Sequence, residues 1–222
     1  AASKAGLPIM AMLRPRPAGF CYGSREFEVM AEDARVLLAS GARGLVFGIL
    51  TETGRIDLAR SAKLMALAPG AEWVFHRAFD LVPDPFKALE ELVDLGVSRL
   101  LTKGQANSFE EGEDLLLELQ ARAAGRIEIL VPGVRPTNVE RIVREDGFDQ
   151  LHFGRLEERL DPSNVARPEV YFGLASRGRE GIYEGFDSAY FREVGDTSRR
   201  AYAARTGAQA SAHRCTPRAP SH

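Results

Sequence analysis

The sequence predicts an α/β fold of six parallel strand–helix units, and three observations lead to it. Short apolar runs recur at intervals of roughly 20 to 36 residues. Each is followed by a longer stretch with apolar residues at helical spacing. None of the runs alternates cleanly with polar residues, as suits strands buried on both faces of a parallel sheet.

The runs occupy residues 8–13, 44–49, 72–76, 98–102, 126–131 and 149–153. The segments between them announce helices by their ends. Ser24 is placed to cap a helix with apolar positions Phe27, Met30, Ala31, Ala34, Leu37 and Leu38, closed by Gly41. Asp57 opens a shorter one through Leu58, Ala62 and Met65. Asp84 before Pro85 is an N-cap with proline at the first helical position, and Gly96 ends that helix. Ser108 with Glu111, and Thr137 with Glu140, fit the capping box, with Gly125 and Gly147 placed to end the two helices. Residues 155–185 show no clear period, residues 190–205 suit a final helix, and 207–222 read as a disordered tail after one domain spanning 1–206.

Repeated strand–helix units imply right-handed crossovers between parallel strands, in an open doubly wound sheet or a closed eight-stranded barrel. No Gly-x-Gly-x-x-Gly follows the first run, which removes the support for a dinucleotide-binding sheet. A TIM-type β/α barrel is the better match. It is an incomplete one, since closure takes eight units.

Composition narrows the partners. The chain has 222 residues, 45% hydrophobic and 27% charged, with a formal net charge of −2. That balance gives no footing for nucleic acid or an anionic membrane. No apolar run approaches the roughly 20 residues of a membrane span, and residues 1–6 lack the basic start and apolar stretch of a signal peptide. Two cysteines, Cys21 and Cys215, make a disulfide framework implausible and a reducing, cytoplasmic setting the expectation.

Strand C-terminal ends are where a β/α barrel gathers its chemistry. Just past each run stand Arg14 and Arg16; Gly48 and Thr51; His76, Arg77 and Asp80; Thr102, Lys103 and Gln105; Gly133 and Arg135; His152 and Gly154. The candidate catalytic residues are therefore His76, Arg77, Asp80 and His152. The candidate ligand-binding residues are Arg14, Arg16, Lys103, Gln105 and Gly133. Each has a plainer reading. Arg14 is also a loop arginine able to pair with a surface carboxylate, and His76, in Val74-Phe75-His76, equally a satisfied core histidine. Asp80 reads first as a group orienting Arg77 or capping a turn. Lys103 reads as a solvated lysine ahead of a desolvated Schiff-base amine. Cys21 suits a small buried or loop residue better than a metal ligand. Cys215, two residues from His213, reads as incidental, with weak metal binding as the alternative.

These residues also resemble a known family. Leu13-Arg14-Pro15-Arg16, Phe20-Cys21-Tyr22 and Gly44-Leu45-Val46-Phe47-Gly48-Ile49-Leu50 are similar to the third and fourth strands of the CutC copper homeostasis family. Phe75-His76-Arg77-Ala78-Phe79-Asp80 resembles its most characteristic stretch, and Leu101-Thr102-Lys103-Gly104-Gln105 and Val131-Pro132-Gly133-Val134 its sixth and seventh strand ends. The resemblance runs from about residue 7 to 153. It implies a β/α barrel whose units three to eight are present here and whose first two are not. It also implies a cytosolic protein linked to copper handling, with a copper ion as candidate ligand. The family's proposed copper cysteines lie chiefly in the first strands and have no counterpart here. Departures from the family pattern fall at Lys103, where serine is usual, at Val131-Pro132 before Gly133, and at Phe153-Gly154-Arg155 after His152.

Three functions follow as expectations. One is a copper-homeostasis protein that binds copper through soft ligands. Another is an enzyme on a small anionic substrate, carboxylated or phosphorylated, held by arginines with His76 and His152 moving protons. The third is a truncated remnant that inherits its strand-end residues. An open sheet would further expose two edges, at residues 8–13 and 149–153, through which copies could associate.

Overall fold

A computed structural model describes the backbone of residues 6–171 and 181–214, and their side chains except 164 and 208–214. Cys215 and residues 215–222 of the expected tail lie outside the described residues, as does the His213 side chain. The chain falls into two compact units, Ala1–Gly133 with Phe148–His152, and Val134–Gly147 with Phe153–His222.

In the first unit the six expected strands form one parallel sheet. They are β1 (Met10–Met12), β2 (Gly44–Phe47), β3 (Glu72–Phe75), β4 (Arg99–Leu101), β5 (Glu128–Pro132) and β6 (Gln150–His152). Their spatial order is their sequence order, and the sheet curls as a half-barrel. Helices α1 (Ser24–Ala39), α2 (Leu58–Met65), α3 (Pro85–Asp94) and α4 (Phe109–Ala123) connect successive strands. The inner strands β2 to β5 are largely buried, whereas the edge strands β1 and β6 are half-buried to exposed. Phe47 meets Trp73 and Phe75 edge-on at 5.4 Å each, and Leu45, Ile49, Leu64, Leu89, Leu92 and Leu116 are wholly enclosed.

Helix starts follow the chemistry of the expected caps, with local corrections. Asp84 accepts from the N–H groups of Phe86 and Lys87, and Asp57 from that of Arg60. Ser24 is the first helical residue instead of the cap. Gly23 takes the cap position, and the Glu26 carboxylate reaches back to its N–H at 2.7 Å. Ser108 accepts from Glu111 N–H as expected, but Glu111 reaches back to Asn107. The last connecting helix, α5 (Val139–Arg144), is capped by Asn138 in place of Thr137, and the Asn138 amide oxygen accepts from Arg135 N–H at 2.7 Å.

The N-terminal edge of the sheet is closed by charge. Glu72 pairs with Arg43 and Arg99, Arg99 also with Glu128 at 2.5 Å, and Gln150 donates to Glu128. Strand-end charges on this side already face opposite charges across neighbouring strands.

The second unit holds α5 and the one feature the sequence hid. Residues 155–185 include an antiparallel hairpin of β7 (Leu156–Leu160) and β8 (Ile182–Phe186). Its strands are short and largely exposed, so they carry no apolar run to betray them. Helix α6 (Ser188–Arg214) covers the expected 190–205 and continues past Gly207. Phe191 packs on Phe153 and Phe186, Tyr190 donates to the Val134 carbonyl at 2.7 Å, and Arg205 to that of Val143 at 2.8 Å. Among the described residues no helix is long and apolar enough to cross a membrane.

Candidate functional site

The C-terminal edge of the sheet is built differently from its N-terminal edge. Backbone bonds carry the ladder just beyond the strands, with Leu13 N–H to Val46 O at 2.8 Å and His76 N–H to Phe47 O at 2.7 Å. The residues that follow are thereby fixed at a common rim.

Asp80 organises that rim. It lies in a short 3-10 turn, Arg77–Leu81, directly after β3, and its side chain is 7% exposed. Its carboxylate accepts from Thr102 Oγ1 at 2.5 Å, Lys103 N–H at 3.1 Å, Gln105 N–H at 3.2 Å and Arg77 Nε at 2.7 Å. Gln105 Nε2 closes the same junction by donating to Val82 O. So Asp80 ties the loop after β3 to the loop after β4 and orients Arg77. Its acceptor sites are filled, which favours the orienting reading over acid–base work.

His76 is the most unusual group at the rim. It is 4% exposed, its ring lies against Phe20 at 4.8 Å, and its Nδ1 accepts from Ala78 N–H at 3.1 Å. Burial pushes its pKa down from 6.5 to about 4, with the Arg14 charge adding in the same direction. The ring is therefore neutral at pH 7, with Nε2 carrying the proton, and that atom is buried without a partner. Gly48, directly after β2, makes this placement achievable, since a Cβ there would sit 2.3 Å from His76 Cε1.

The same burial sets a pH dependence. The unfolded chain binds the His76 proton more readily than the folded one. The stabilisation is thus complete above pH 6.5 and is lost as pH falls toward 4. Between pH 7.5 and 4.5 this group should account for about 2 to 3 kcal/mol of lost stability. Urea titrations of the wild type and His76→Gln at both pH values measure it as the difference in their pH slopes.

Arg14 is exposed and makes one hydrogen bond, from Nη2 to Ala18 O at 2.9 Å, with its guanidinium 4.9 Å above the Phe20 ring. Its remaining donors are open. Arg16 is spent on its own loop: it donates to Glu26, to the carbonyls of Pro17, Gly19 and Cys21, and stacks on Tyr22. Lys103 is half-buried, donates to Asn107 O at 2.9 Å, and runs its stem past Gly133, whose φ is +83°. His152 stands at the end of β6 with a pKa lowered by the protein around its ring, although the residue as a whole is exposed. Strands β3 and β6 are three strand spacings apart, about 14 Å along the sheet.

Contacts join Arg14, Phe20 and His76 at the ends of β1 and β3, and Asp80 joins Arg77 after β3 to Thr102, Lys103 and Gln105 after β4. Arg16 and Gln105 bond loop carbonyls, and His152 stands at the end of β6. Tyr22, which was not singled out, is 2% exposed with a hydroxyl lacking any partner. The signal in the sequence was the aromatic–Cys–aromatic spacing of Phe20, Cys21 and Tyr22, of which the structure half-buries Phe20, exposes Cys21 and buries Tyr22.

A copper ion does not fit these residues. Copper(I) is held by thiolate and thioether sulfur, or by imidazole. Cys21 is an exposed free thiol, and among the described residues no group of three or more His, Cys, Asp or Glu side chains is placed to hold a metal.

Comparison with known proteins gives the same alignment of elements a lineage. The CutC family model matches residues 1–156. The family protein CutC of Treponema denticola is 48% identical over 170 residues, 76% of this chain and 69% of that protein. Its counterpart in Porphyromonas gingivalis strain ATCC 33277 is 39% identical over 174 residues, covering 78% of this chain and 70% of that one. A crystal structure of CutC from Streptococcus agalactiae, named for copper homeostasis, superposes with a TM-score of 0.65 at 35% identity. It covers 68% of this chain and 74% of that one.

Proposed function

The chain belongs to the CutC family, and from that premise we propose that it binds a small anionic ligand at the C-terminal rim of its sheet. The observation that carries this reading is the contrast between the two edges. At the N-terminal edge Glu72 and Glu128 answer Arg43 and Arg99. At the C-terminal edge, among the described residues, Arg77 pairs with Asp80, whereas the Lys103 ammonium and the Arg14 guanidinium donate to the carbonyls of Asn107 and Ala18 and face no carboxylate. Clustered cations with unfilled donors attract an oxyanion.

His76 takes part as a neutral donor. With Nδ1 occupied and its pKa lowered to about 4 by burial, the ring is neutral at pH 7 and can hydrogen-bond an oxygen that carries or gains negative charge. Arg77 supplies charge in an orientation set by Asp80, and Lys103 does so beside Gly133.

Copper binding, suggested by the name of the S. agalactiae relative, is the second reading and is carried by kinship alone. The sulfur atoms it could use are those of exposed Met12, at the end of β1, and exposed Cys21, in the loop after it. A thermal-shift panel of phosphate, sulfate, pyruvate, citrate and copper(I) separates the two. The expected result is saturable stabilisation by one or more anions that Arg14→Ala abolishes and the α6 surface control Arg199→Ala leaves intact. Stabilisation by copper(I) alone, or equal effects of both substitutions, would overturn the anion reading.

A further inference from the structure

We propose that Tyr22 and His76 form one buried donor pair that, together with Arg14, receives a carboxylate group of the ligand. This rests on the anion-binding reading of the rim and names the group bound there.

Two polar atoms of the same region are buried without partners: the Tyr22 hydroxyl and His76 Nε2, on side chains that are 2% and 4% exposed. A buried donor left unsatisfied is costly, and natural folds seldom keep one without a use. His76 Nε2 is a donor because Nδ1 already accepts from Ala78. Tyr22 sits on the loop between β1 and α1, two residues after Phe20, with exposed Cys21 between them. Tyr22 is buried, and the Phe20 ring two residues before it lies 4.8 Å from that of His76. Arg14 stacks on Phe20, and its charge acts on both Tyr22 and His76.

The charge count selects the ligand. Of the groups acting on Tyr22, Arg16 and Glu26 form an ion pair and offset each other, leaving Arg14. Arg14 is likewise the one charged group acting on His76. One guanidinium and two neutral donors match a monoanion with two acceptor oxygens, which describes a carboxylate better than a phosphate dianion. Phe20 covers the His76 ring, so the carboxylate enters by displacing it.

The test uses acetate and pyruvate as monocarboxylate probes and inorganic phosphate as the contrasting oxyanion, with Tyr22→Phe and Arg14→Ala variants. Calorimetric titration and melting are measured for each. Removing an unsatisfied hydroxyl should leave the melting temperature of ligand-free Tyr22→Phe unchanged or higher, while weakening carboxylate binding about tenfold. Binding of acetate or pyruvate should also shift the ¹⁵N resonance of His76 Nε2. A lower melting temperature with carboxylate affinity intact would make the hydroxyl structural and overturn the proposal. Affinity kept in Tyr22→Phe but lost in Arg14→Ala would overturn this subsite while sparing the rim. A preference for phosphate over both carboxylates would overturn the carboxylate assignment. Absence of any anion binding would remove both readings.

Discussion

Replacing Asp80 by alanine should destabilise the protein by roughly 3 kcal/mol or more, because it strands a hydroxyl and two backbone donors at once. The lost partners are Thr102 Oγ1, which is wholly buried, and the N–H groups of Lys103 and Gln105, with Arg77 released as well. Asp80→Asn should fall between alanine and wild type. The amide oxygen can still accept from Thr102 or a backbone N–H, but its NH₂ faces donors. Denaturant midpoints give the ranking, and amide hydrogen exchange at Lys103, Gly104 and Gln105 should quicken in the same order. If Asp80→Ala cost no more than an exposed carboxylate does, the rim would not be organised by this residue.

Gly112→Ala offers the second large effect, and its sign is the informative part. Gly112 lies inside α4, where alanine normally gains about 1 kcal/mol over glycine. Here an added Cβ would fall 1.8 Å from the Lys103 carbonyl oxygen, a backbone atom that cannot step aside alone. The substitution should therefore destabilise by about 2 kcal/mol or more, by forcing helix and rim loop apart. Gly195→Ala in α6 is the matched control. Its Cβ would meet only the flexible end of Arg199 at 3.6 Å, so the usual helical gain should appear. Opposite shifts in melting temperature for the two variants would confirm that α4 is packed directly onto the loop that carries Lys103.

Much of this was legible in the sequence because it depends on local chemistry. Continuous apolar runs specified six strands, and Asp57, Asp84 and Ser108 marked helix starts that the structure retains. The rim residues could be listed since a parallel sheet sends the end of each strand to one edge. Their roles could not. Arg14 and Arg16 are two residues apart with the same side chain, yet the fold spends one on loop carbonyls and leaves the other open. That difference arises from how residues 14–23 turn back on themselves, with Ala18 at φ +73°. The His76 tautomer depends on a backbone N–H two residues on, and the value of Gly48 and Gly112 on contacts with distant backbone and rings. The β7–β8 hairpin escaped notice because exposed strands have no apolar periodicity to reveal them.

The direct test of an anion site at the C-terminal rim is an amide NMR titration of the whole chain with pyruvate. The account predicts saturable shifts concentrated at Arg14 to Tyr22, Gly48, His76 to Asp80 and Thr102 to Gln105, absent in Arg14→Ala. Shifts that fail to saturate, or that gather at the opposite edge around Arg43, Glu72 and Arg99, would contradict it.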